Sequence, residues 1–70
     1  MQNLTKIIAQ NVKTLRLERD LTISALATKS FLSEDLISEI EEGIYRPDSA
    51  ELLRLAEVFQ IPPSHLLSMS

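Results

Sequence analysis

Between residues 4 and 15, Leu4, Ile8, Val12 and Leu15 recur at steps of four, four and three, while Lys6, Gln10, Lys13 and Thr14 fall between them. Such steps return to one side of an α-helix, so they predict an amphipathic helix over about 4–18. Thr22 stands just before ISALATKS and can accept a bond from the free amides of a first turn, which marks a second, short helix with Leu26 and Ala27 facing inward. Ser33 has the same place before EDLISEIEE, where Ile37 and Ile40 share a face. Gly43 suits the left-handed residue that closes a helix, giving a third helix over about 34–42. The segment IYRPD reads as a loop, because the residue before Pro47 is biased out of helical conformation, and Asp48 or Ser49 can cap a new helix there. This fourth helix, over about 49–59, carries an apolar stripe of Leu52, Leu55, Ala56 and Phe59. Pro62 and Pro63 are expected to end it and to pre-set the first turn of a final short helix, SHLL. No stretch alternates with period two, so the expectation is all-α: five short helices in a single domain over 1–70.

Only a few residues around Ser30 to Leu32 separate the second and third helices, too few for a long antiparallel pairing. A sharp crossing is implied, the geometry of a helix-turn-helix unit over about 22–42. The chain has 70 residues and a hydrophobic content of 44%, near the lower size limit for a core that stabilises itself unaided. Cysteine is absent, which removes disulfides, zinc fingers and thiol nucleophiles and fits a reducing cytoplasm. Charged residues interrupt every apolar run before it reaches spanning length, so no membrane partner is expected.

Charge complicates a nucleic-acid reading. The formal net charge is -3, whereas sequence-independent affinity for nucleic acid comes from Lys and Arg that displace counterions. The stretch FLSEDLISEIEEG contains five acids and no base. Enzymatic chemistry finds still less material. His65 is the one histidine, no carboxylate pair lies near it, and the acids of the third helix match no calcium-loop spacing. No catalytic residue, metal or cofactor is therefore expected.

From about Ile8 to Leu67 the chain resembles the Xre/Cro family of phage-repressor-like regulators. The resemblance rests on VKTLR in the first helix, Leu26-Ala27, Ser33 opening the third helix, ISEIEEG, the RP after the loop, LLRLAEVF and a terminal LL. It implies a five-helix phage-repressor-like helix-turn-helix domain that binds double-stranded DNA as a homodimer, with the third helix in the major groove. It further implies an ion pair between Arg16 and Glu41, whose guanidinium fork would satisfy the carboxylate. A dimer interface is implied after the fourth helix, at Ile61, Pro62, His65 and Leu66. The implied DNA contacts are Ile23, Lys29, Ser33, Glu34, Asp35, Ser38, Glu39 and Arg46.

Three departures bear on function. Ile23 stands where the family tends to have a phosphate-gripping Gln, and it either packs or contributes to an apolar interface. Phe31 stands where the turn usually has Gly, so the turn is either altered or strained, and the side chain is expected to enter the core rather than meet a base. Glu34, Asp35 and Glu39 stand where base-reading polar residues are usual. Glu34 and Asp35 gain from the helix dipole, and a carboxylate can accept a bond from the cytosine amino group. An acidic face of this kind equally suits a basic protein partner, as an antirepressor-like module would use. Lys29 and Arg46 are expected to hold phosphates, and Lys6, Lys13 and Arg54 to be ordinary solvated positions.

Overall fold

The computed structural model describes residues 3–68. It contains α1 (Leu4–Glu18), α2 (Ile23–Ser30), α3 (Glu34–Glu41), α4 (Ser49–Phe59) and a 3-10 helix at Pro63–Leu67. Among the described residues there is no strand, and the α-helices number four rather than the expected five. Length accounts for the difference. The five residues before Ser68 are too few to build an i to i−4 ladder, so the chain tightens to i to i−3 bonds such as His65 N to Pro62 O at 3.0 Å.

Each α-helix begins on a side-chain cap. Asn3, Thr22, Ser33 and Asp48 accept from the amides of Thr5, Ala25, Leu36 and Glu51 respectively. Asp48, rather than Ser49, is the fourth cap, and Glu51 returns a bond to the Asp48 amide to complete a capping box. Each α-helix also ends in the same way, with one residue in the left-handed region and paired bonds back to the last turn. After α1 the left-handed residue is Asp20, after α2 Phe31, after α3 Gly43 and after α4 Gln60. The long bonds run from the amides of Leu21, Leu32, Ile44 and Ile61 to the carbonyls of Arg16, Ala27, Glu39 and Ala56. Gln60 thus stops α4 before the prolines are reached.

Phe31 departs from expectation. It lies at φ 60° and is 84% exposed instead of entering the core. The reason is the α2 terminus: Leu32 N must reach Ala27 O, so residue 31 has to be left-handed, and its side chain then points away from the packed side. A non-glycine residue there costs about 1–2 kcal/mol.

The core is built from Ile8 and Val12 of α1, Leu26 and Ala27 of α2, Ile37 and Ile40 of α3, Leu55, Ala56 and Phe59 of α4, and Leu66. Helix α3 packs on α1 and α2, whereas α4 packs on α2, α1 and the 3-10 helix. Helix α1, packed on α3, α4 and the 3-10 helix, is the hub, and α3 is left with an outward side. Ser30 is the buried polar residue of α2, and its hydroxyl donates to Leu26 O at 2.7 Å. Among the described residues every buried side-chain nitrogen and oxygen has a partner.

Candidate functional site

Two neighbouring capped helices joined by Phe31, Leu32 and Ser33 form the candidate site. Arg16 on α1 and Glu41 on α3 hold its angle. Arg16 Nε donates to Glu41 Oε2 at 2.7 Å and Nη2 to Oε1 at 3.0 Å, a two-pronged contact, while Nη1 donates to Leu21 O at 2.9 Å. The two side chains are only 11% and 6% exposed. The bond to Glu41 raises the Arg16 pKa above its ordinary value, burial opposes the rise, and the charge of Glu41 adds to it. Glu41 is thereby an internal partner and leaves the outward acids.

The outward side of α3 carries Glu34, Asp35 and Glu39, all exposed, with Ser38 half-buried and Glu42 exposed just beyond the helix. Ile37 and Ile40 face inward, and Leu36 is half-buried against the core. Ser33 is exposed, and its hydroxyl oxygen accepts from Leu36 N at 3.1 Å as the cap of α3, which leaves its O–H able to donate outward. Glu34 and Asp35 lie in the first turn, where negative charge is favoured by the helix dipole; Glu42 lies at the opposite end, where it is not. No base lies in the last turn of α3.

The remaining candidates scatter. Ile23, at the start of α2, packs partly against the core, so it offers a backbone amide rather than a gripping side chain. Arg46 is exposed in the loop between α3 and α4. Lys29 lines a groove with Arg54, Glu57 and Val58 of α4, away from the acids of α3. Arg54 also lies in that groove, with Nη1 at 3.4 Å from Phe31 O, and is more than a solvated position. Ser24 and Thr28 are exposed hydroxyls four apart on α2, and as short polar residues on a helix surface they carry no distinguishing signal.

The loop before α4 is held by Tyr45, whose hydroxyl donates to Glu51 Oε1 at 2.8 Å, the same oxygen that accepts from Asp48 N. That bond to Glu51 raises the tyrosine pKa above 10.0, with burial and the charges of Glu51, Asp48 and Glu39 adding to it. Pro47 beside it is buried, so Arg46 projects from a fixed base.

At the C-terminal end, Ile61 is half-buried and Pro62 and His65 are exposed. Leu66, expected at a dimer surface, is instead 0% exposed. Its side chain belongs to the core, and Asn11 Nδ2 donates to the carbonyls of Leu66 at 2.9 Å and Ser68 at 2.8 Å, holding the 3-10 helix on α1. The exposed leucine there is Leu67. Among the described residues no cluster of His, Cys, Asp and Glu is gathered as a metal site, and no helix is long and apolar enough to cross a membrane.

Residues 12–66 match the helix-turn-helix family. The fold is similar to the crystal structure of the clp gene regulator ClgR from Corynebacterium glutamicum, with a TM-score of 0.87 at 21% sequence identity, covering 94% of this chain and 70% of that one. No curated protein matches the sequence.

Proposed function

The chain belongs to the helix-turn-helix family of the Xre/Cro type, and from that premise we propose that residues 1–70 act as one cytoplasmic unit, a non-enzymatic transcriptional regulator that binds double-stranded DNA. The observation that carries the reading is the α2–turn–α3 unit, with α3 fixed against α1 and α2 and Glu34, Asp35 and Glu39 exposed on its outward side. Asp35, Ser38 and Glu39 would face base edges, with Glu34 beside them. The carboxylates can accept only from donors, so they favour cytosine amino groups over the acceptor atoms of guanine. The α2 amides from Ile23 onward and Arg46 would meet phosphates. The chain would bind as a homodimer through Ile61, Pro62 and His65, with Leu67 in the place expected of Leu66.

Fluorescence anisotropy with a duplex from upstream of the chain's own reading frame tests this. Saturable binding at about 50 mM salt is expected, and none at that salt refutes DNA binding. A second reading is favoured by the acids themselves: the outward side of α3 carries no cation, a surface suited to a basic protein partner in an antirepressor-like interaction. In that case a basic partner is recovered from native cells and the duplex does not bind.

A further inference from the structure

At the opposite end of α2 from the proposed phosphate contacts lies a second surface. Lys29, Ser30 and Phe31 face Arg54, Glu57 and Val58 across a groove of about 290 Å³. Phe31 is the most exposed large apolar residue described, and it is held in the left-handed region where its ring contributes little to the core. Arg54 Nη1 lies 3.4 Å from the Phe31 carbonyl, and Val58 packs against the core beneath. Among the described residues neither Lys29 nor Arg54 forms an ion pair. Two unpaired cations around an exposed aromatic ring, facing the single acid Glu57, form a local positive excess on a chain whose net charge is -3.

We propose that this groove docks an acidic peptide segment of a partner protein, with one bulky apolar side chain laid on Phe31 and Val58 and flanking carboxylates on Lys29 and Arg54. Carboxylates match a guanidinium fork and an ammonium, and an aromatic anchor beside charged neighbours is the composition of an interaction hot spot. A nucleic-acid strand fits less well, because Glu57 would stand against its continuous line of phosphates. The surface is separate from the outward side of α3, so peptide docking stands or falls independently of DNA binding.

A short synthetic peptide with Trp and Leu at its centre and Asp and Glu on both sides is the probe. The protein has no Trp, so the peptide's fluorescence reports binding without background. The expected dissociation constant is on the order of 100 µM, with amide NMR shifts confined to residues around Lys29, Phe31, Arg54 and Val58. Phe31→Ala should weaken binding by about tenfold or more, and Lys29→Glu combined with Arg54→Glu should abolish it, each with an unchanged helical CD spectrum. Four results would overturn the proposal: no fluorescence change up to about 2 mM peptide, equal binding by Phe31→Ala, equal binding of a peptide with Lys in place of its acids, or tighter binding by oligothymidine.

Discussion

Replacing Arg16 by Met removes the guanidinium while keeping much of the side chain's volume. Glu41, only 6% exposed at its side chain, then loses both bonds to its carboxylate, and Leu21 O loses its donor. Breaking one member of such a pair costs about 3–5 kcal/mol, because the remaining charge stays buried without compensation. A domain of this size has a total stability of about 4–10 kcal/mol, so the variant should lose a third or more of it. Met with Leu at position 41 removes both charges, and most of the loss should return, leaving about 1 kcal/mol for the orphaned Leu21 carbonyl. Urea unfolding followed by CD on the wild type, both single variants and the double variant closes the cycle, and the double variant should lose far less stability than the two single variants added together. A loss below about 1 kcal/mol in Arg16→Met, with the slope of the unfolding curve unchanged, would show that water reaches Glu41 and that the pair does not set the angle of α3.

Phe31→Gly should stabilise the fold by about 0.5–1 kcal/mol, since relief of the left-handed strain exceeds the extra unfolded-state freedom of Gly and little apolar contact is lost; a lower urea midpoint would refute that account. Tyr45 is the only tyrosine, so its ultraviolet titration is clean and should give a pKa above 10.0, returning toward the ordinary value in Glu51→Gln. Because the folded value is raised, the contribution of this bond is present below the unfolded pKa near 10 and is lost as pH rises through the folded one, so alkaline melting should begin earlier in wild type relative to its neutral stability than in Tyr45→Phe.

Caps and periodicity make the helices legible. Thr22 and Ser33 act locally on amides three residues away, and the inward residues of α1 to α4 follow a spacing that any helix imposes. The termini are less legible because their geometry is set by bonds across the last turn rather than by residue type. Gly43 declares itself, but Asp20, Phe31 and Gln60 take the same conformation without a glycine's signature. Leu66 and Leu67 are chemically equal in the sequence, and only the seating of the 3-10 helix on α1 and α4 decides which one is buried. Lys29 falls among unexpected neighbours for a similar reason, since the position of α4 beside α2 is a tertiary fact.

Placing the charges also changes what DNA binding by this chain would look like. Of the five acids between 31 and 43, Glu41 is internal, and Glu34 and Asp35 are favoured where they stand, which leaves Glu39 and Glu42 as uncompensated charge beside a groove. Of the two cations expected to face phosphate, Lys29 belongs to the α4 groove and only Arg46 remains. With about one phosphate neutralised per protomer, a dimer should show a slope of log affinity against log salt near −2, far shallower than a repressor with many phosphate contacts. Affinity would then rest on base edges and duplex shape, and discrimination against non-specific DNA should be large relative to total affinity. A slope as steep as about −8 would require phosphate contacts that these side chains do not supply, and would point to cations of a bound partner or to a different docking face.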